Sequence, residues 1–165
     1  MWKYLNDRFV ECFRVERYEE AHEWAEKALQ YARDEFEEYD PHTATSLNNL
    51  AVVLRCLNRL DESEKLVRQA LAINISLRGI NHPETGNYLN NLAIIHSDRG
   101  EFNEAEALYR WAIEIREEAL GKGHPDLIVN YHNMARMYDA CGQKERSAHC
   151  MKHMRELETG AAASA

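Results

Sequence analysis

Apolar residues recur along this chain at helical rather than strand spacing. Leu47, Leu50, Ala51 and Leu54 fall at steps of three and four, and Leu66, Ala70, Leu71 and Ile73 follow with the same rhythm. Each run places one apolar stripe on an otherwise polar helix, so the pattern predicts an amphipathic helix A followed by an amphipathic helix B. Between such pairs stand Asn58, Gly100 or Gly142, residue types that accept the left-handed backbone conformation needed to close one helix and turn the chain into the next. The predicted unit is a tight helical hairpin.

The hairpin repeats. Pro41, Pro83 and Pro125 stand 42 residues apart, and the residues after each proline match in register: Asn49, Asn91 and Asn133; Leu50, Leu92 and Met134; Ala51, Ala93 and Ala135; then Ala70, Ala112 and Met154. The string Arg17-Tyr18-Glu19-Glu20-Ala21 aligns with Arg59-Leu60-Asp61-Glu62-Ser63, so a fourth copy opens the chain. Repeats are expected at about 1–40, 41–82, 83–124 and 125–158, forming one domain over 1–159, with 160–165 a disordered tail.

The junctions pair a stop with a start. Gly79 and Gly121 suit the end of helix B, the prolines suit the first turn of the next helix A, and Asp40 can cap that turn in the first junction. Small residues such as Ala51, Ser63, Ala70, Ala93, Ala105 and Ser147 mark places where helices approach closely. One hairpin leaves an apolar face uncovered, so a continuous core requires stacking of neighbours. The expected fold is all-α, a right-handed superhelical solenoid of about four helix-turn-helix repeats and eight helices, with A helices inside and B helices outside.

Composition narrows the function classes. The 165 residues carry 20 Lys and Arg against 28 Asp and Glu, a formal net charge of −8, which repels phosphate backbones and anionic membrane surfaces. Basic residues are interspersed with glutamates, as in the run from Arg110 to Glu118, which reads as a solvated helix face. Nucleic acid and membrane are therefore not expected as partners, and no apolar run approaches the roughly 20 residues that span a bilayer. Cys12, Cys56, Cys141 and Cys150 form no CxxC pair, so reduced thiols in a cytoplasmic setting are expected.

Nothing in the motifs points to catalysis. There is no Gly-rich phosphate loop and no nucleophile elbow. Cys141, His149, Cys150 and His153 form the most metal-like cluster, but the stretch lacks a short loop pairing two ligands, and the histidines read as surface residues. His82 and His124 precede prolines at equivalent junctions, which points to linker packing rather than proton transfer. The chain is expected to be no enzyme and to hold no metal or cofactor.

Taken with Thr45-Ser46-Leu47-Asn48-Asn49-Leu50-Ala51, Asn90-Asn91-Leu92-Ala93, His82-Pro83-Glu84-Thr85 and the run from Gly100 to Arg110, the sequence resembles the tetratricopeptide repeat family in its 42-residue, kinesin-light-chain-like variety. The usual repeat is about 34 residues, so the longer one implies a longer helix B and connecting loop. The resemblance implies a protein-interaction scaffold that holds an extended partner segment in a groove lined by A helices. It assigns three rows to that groove: Asn6, Asn48, Asn90 and His132; Asp7, Asn49, Asn91 and Asn133; Val10, Val52, Ile94 and Arg136.

A side-chain amide offers donor and acceptor together and can grip the backbone of an extended peptide, leaving selectivity to Lys3, Arg14, Val52, Arg55, Ile94, His132 and Arg136. The same amides can instead bond to the neighbouring repeat and set its angle, and both roles stay open. The family's carboxylate clamp is poorly matched, because Asn6, Val10, Asn49, Asn87 and Asn91 take its places and only the second-helix asparagine agrees. The alternatives are a self-associating module, monomer or weak homodimer, using Trp2, Tyr4 and Phe13, or the interaction fragment of a larger signalling or motor-adaptor protein.

Overall fold

The computed structural model describes residues 1–160; apart from Gly160, the tail expected at 160–165 lies outside the described residues. Eight helices and no strand occur among them: α1 (Trp2–Arg14), α2 (Tyr18–Glu35), α3 (Pro41–Cys56), α4 (Leu60–Arg78), α5 (Thr85–Asp98), α6 (Phe102–Leu120), α7 (Leu127–Ala140) and α8 (Lys144–Glu158). Odd-numbered helices are the A helices and even-numbered ones the B helices. The B helices α4 and α6 have 19 residues each, about 28 Å at 1.5 Å per residue.

Each hairpin turns in the same way, and the turn is legible in the backbone. Glu16, Asn58, Gly100 and Gly142 have φ of 59°, 60°, 78° and 77°, one such residue every 42 positions. The N–H just after each reaches back five residues, from Arg17 to the Cys12 carbonyl, Arg59 to Leu54, Glu101 to His96 and Gln143 to Tyr138, at 2.8–3.0 Å. This is the left-handed helix stop that satisfies otherwise orphaned carbonyls. Glu16 is the member that side-chain type does not announce, because a glutamate gains nothing from the left-handed region that Asn or Gly tolerates.

Junctions differ more than the turns do. Asp40 Oδ1 accepts from the His42 N–H at 2.7 Å, and Pro41 is the first residue of α3. In the next two junctions His82 and His124 occupy the Asp40 place, and their Nδ1 atoms accept from the Glu84 and Asp126 N–H groups at 3.2 Å. Here the prolines do not open the helix. A turn of i to i+3 bonds, such as Thr85 N–H to the His82 carbonyl at 2.9 Å, precedes α5 and α7, which begin two residues after Pro83 and Pro125. Gly79 and Gly121 end α4 and α6 with φ of 87° and 92° and extended ψ, a region effectively reserved for glycine.

The described residues fall into two compact units, Met1–Ile80 and from Asn81 onward. In the first, α1 packs on α2, α2 on α3 and α3 on α4, and α1 also reaches α3; in the second, α5 to α8 repeat that scheme. Small residues make the close approaches: Ala21, Ser63, Ala105 and Ser147, spaced by 42, are all buried, as are Ala51, Ala93 and Ala135. Ser63 shows how near the backbones come, its Oγ donating to the Ala51 carbonyl at 2.6 Å. Larger residues fill the space around them, Leu47, Leu50, Val53 and Val67 in the first unit and Tyr109, Leu127, Met137 and Tyr138 in the second.

Trp2 and Phe13 are half-buried and make contacts within the first unit. Trp2 Nε1 donates to Ser46 Oγ at 2.7 Å and its ring stands edge-on to His42, while Phe13 rests against Phe9 and Tyr18. Tyr4 stays mostly exposed.

Candidate functional site

The asparagine rows face each other across adjacent A helices. In the first unit Asn49 Nδ2 on α3 donates to Asn6 Oδ1 on α1 at 2.6 Å. In the second unit Asn133 Nδ2 on α7 donates to Asn90 Oδ1 on α5 at 3.3 Å, and Asn130 Nδ2 joins the same oxygen at 3.3 Å. An amide of the second row thus meets an oxygen of the first row one repeat earlier, in both units. Asn90 is buried; Asn6, Asn48, Asn49, Asn91 and Asn133 are half-buried, as are Val52, Arg55 and Ile94, while His132 and Arg136 are exposed. The bracing contact accounts for one donor of Asn49 and of Asn133, and an amide carries two donors and an acceptor oxygen.

Sequence patterning passed over a residue that burial singles out. Arg116 lies in the run read as a solvated face, yet it is 4% exposed. It projects from the inner side of α6. Its Nη1 donates to the Asp126 carbonyl at 3.1 Å and to Asn130 Oδ1, and its Nη2 donates to Asn87 Oδ1. All three acceptors are neutral, and among the described residues no carboxylate forms an ion pair with it. Burial lowers the pKa of this guanidinium from its ordinary value, opposed by the more distant Asp126 carboxylate.

Gly86 makes room for that arginine. A Cβ at Gly86 would stand 2.9 Å from Arg116 Nε, 3.1 Å from its Cγ and 3.2 Å from the Ala112 carbonyl oxygen. One repeat earlier the corresponding residues are Ala44 and Asn74, and in the first repeat Ala32 takes the arginine's place. The repeat therefore closes without a Gly–Arg pair. A departure from the internal repeat at two interacting positions was the signal available in the sequence. Arg116, Asn87 and His132 line a cleft of about 650 Å³, together with Asp126, Ile128 and Val129, so one groove-row residue, His132, shares the cleft with the buried cation.

A second cleft, of about 430 Å³, lies among α6, α7 and α8 and includes Glu117, Tyr131, Cys150, His149 and His153. Burial first, then the Glu117 carboxylate, push the Tyr131 phenol up to about 12, and its hydroxyl reaches Glu117 Oε1 at 3.4 Å. Burial likewise pushes the Cys150 thiol up, away from thiolate. Cys141 Sγ points instead at the Tyr138 carbonyl, 3.4 Å away. Among the described residues no three His, Cys, Asp or Glu converge as a metal-binding group. No helix among them is long and apolar enough to cross a membrane.

The model of the tetratricopeptide repeat family matches residues 10–76 and 43–118, together more than half of the chain. No curated protein sequence matches significantly. Among solved structures, BtubC (BKLC) from P. vanneervenii is similar at 24% identity and a TM-score of 0.76, over 91% of this chain and 60% of that one. This chain thus spans less than two thirds of that protein's length. A single-substitution variant of a Podosopora anserina kinesin-light-chain-like protein of nearly identical TPR-like repeats is similar at 21% identity and a TM-score of 0.76, over 99% of this chain and 77% of that one. A Rap protein complexed with Competence and Sporulation Factor is similar at 17% identity and a TM-score of 0.59, over 94% of this chain and 52% of that one. These likenesses show the fold, an all-α helical-repeat solenoid. With the 42-residue hairpins and the family match, they establish that the chain belongs to the tetratricopeptide repeat family, with repeats of the kinesin-light-chain-like kind.

Proposed function

We propose that the chain binds an extended, acid-bearing segment of a partner protein on the A-helix faces, and that the α5–α7 face with the Arg116 cleft is the principal contact. Tetratricopeptide repeats mediate protein–protein interaction, and proteins of this family are typically non-catalytic scaffolds. The observation that carries the finer reading is Arg116: a buried guanidinium held only by neutral acceptors and lining an open cleft beside Asn87 and His132. A buried charge bonded only to neutral acceptors, with a carboxylate no nearer than Asp126 acting at a distance, is costly, and a carboxylate arriving from a partner offsets that cost while adding charge-assisted hydrogen bonds. Asn91 and Asn133 would hold the segment's backbone, and Ile94 and Arg136 would contact its side chains.

The test is a peptide screen with the intact chain. The tightest binders should carry Asp, Glu or a free C-terminal carboxylate, and replacing that group by its amide should weaken binding about tenfold or more, as charge-assisted bonds of about 1.5–3 kcal/mol require. Arg136→Ala, at an exposed position, should weaken the same peptides without unfolding the chain. Binders indifferent to the carboxylate, or equal binding by wild type and Arg136→Ala, would overturn the reading.

A further inference from the structure

Helix α8 carries a histidine pair outside the proposed contact face. His149 and His153 stand one turn apart on α8, their rings crossed at 90° with centroids 4.6 Å apart, and their Nε2 atoms are 3.2 Å from each other. His153 is held from two further sides. Its ring stacks on Tyr131 at 5.1 Å and 20°, and its Nδ1 lies 3.5 Å from Glu156 Oε2. A carboxylate at Nδ1 favours the tautomer with its proton there, which turns the Nε2 lone pair toward His149.

That spacing matches a metal chelate. Two imidazole nitrogens, each about 2.0–2.1 Å from a tetrahedral ion, lie roughly 3.3 Å apart. Both rings border the cleft of about 430 Å³ walled by Glu114, Glu117 and Tyr131, which leaves space for an ion and its remaining water ligands. We propose that His149 and His153 form a two-imidazole chelate for a borderline divalent transition-metal ion of the zinc(II) or nickel(II) class, bound through both Nε2 atoms.

The protein supplies two ligands and water the others, so this is an open, exchangeable site unlike the closed four-ligand sites that build small zinc domains. In the metal-free pair the His149 Nε2–H donates to His153 Nε2. For the incoming ion to take both Nε2 lone pairs, the His149 proton moves from Nε2 to Nδ1, so the chelate is made by two neutral imidazoles with no net loss of a proton. Because both ligands sit on one turn, the ion staples α8 in its helical form and raises the stability of the bound chain.

Calorimetric titration of the untagged chain with zinc chloride, beside His149→Gln, His153→Gln and the double variant, tests the proposal. Wild type should bind one equivalent that each single variant weakens about tenfold or more. Nickel(II) should broaden the ring signals of these two histidines before those of the other histidines. Zinc should raise the thermal midpoint of wild type and leave that of the double variant in place. Equal zinc affinity in wild type and double variant, or nickel broadening that starts at other histidines, would mean that the pair shares a proton and nothing more.

Discussion

Gly86→Ala sets two familiar effects against each other, and the geometry decides the sign. Within a helix, alanine is favoured over glycine by about 1 kcal/mol. At position 86 the new methyl would lie 2.9 Å from Arg116 Nε and 3.1 Å from its Cγ, with the Ala112 carbonyl oxygen behind it at 3.2 Å. The carbonyl belongs to the α6 backbone and cannot yield, so Arg116 must. Its guanidinium is tied to Asn87, Asn130 and the Asp126 carbonyl. Overpacking costs about 1–3 kcal/mol, and weakening one charge-assisted hydrogen bond costs on the order of 1.5 kcal/mol more. Net destabilisation of about 1.5–3.5 kcal/mol is expected once the helix-propensity gain is subtracted, read as a lower urea midpoint at unchanged slope. Arg116→Asn alone should also destabilise, by opening space beside Gly86. The double substitution restores the pairing already present as Ala44 and Asn74 one repeat earlier. It should recover at least about 1 kcal/mol relative to the sum of the singles. If Gly86→Ala stabilises the chain, or the two changes simply add, the steric coupling between Gly86 and Arg116 is refuted.

Four further outcomes are expected. Thr43→Val should stabilise by about 1 kcal/mol in chemical denaturation, because Thr43 Oγ1 is buried without a hydrogen-bond partner and the equivalent position two repeats on is the buried Leu127. Glu16→Gly should add about 1 kcal/mol by relieving a left-handed glutamate at φ 59°, which matched thermal melts would register. Asn49→Ala removes the 2.6 Å bond to Asn6 and should cost about 1 kcal/mol of stability; an unchanged denaturation curve would leave peptide contact as that amide's role. Tyr131, pushed up to about 12 from 10.0, should ionise after the exposed tyrosines in an ultraviolet titration. Its protonated form is favoured in the folded chain, so its contribution is complete below pH 10 and is lost as pH rises from 10 toward 12.

Local rules settled a large share of this structure in advance. The step of three and four in Leu47, Leu50, Ala51 and Leu54 is a property of one helix, and those residues are buried on α3. Asn58, Gly100 and Gly142 read as left-handed turns because φ is chosen within a residue or two. Glu16 takes the same conformation because the repeat holds it there, which its own side chain gives no reason to expect. Proline placement was less legible: a proline can open a helix or precede it by one turn, and whether Asp40 or a histidine supplies the cap tips the balance.

The sequence by itself therefore determined the helices, their 42-residue period, the turns within hairpins and the small residues where hairpins close, since each depends on neighbours within a few positions. Tertiary structure decided the rest. Whether an asparagine row bonds across helices depends on the separation of α1 from α3 or of α5 from α7, and no spacing along the chain encodes that distance to the roughly 0.5 Å a hydrogen bond requires. The same holds for Arg116. It stands in a charged run between Glu114 and Glu118, and only the approach of α5 and α7 to α6, with Gly86 lacking a Cβ, encloses its charge among Asn87, Asn130 and the Asp126 carbonyl.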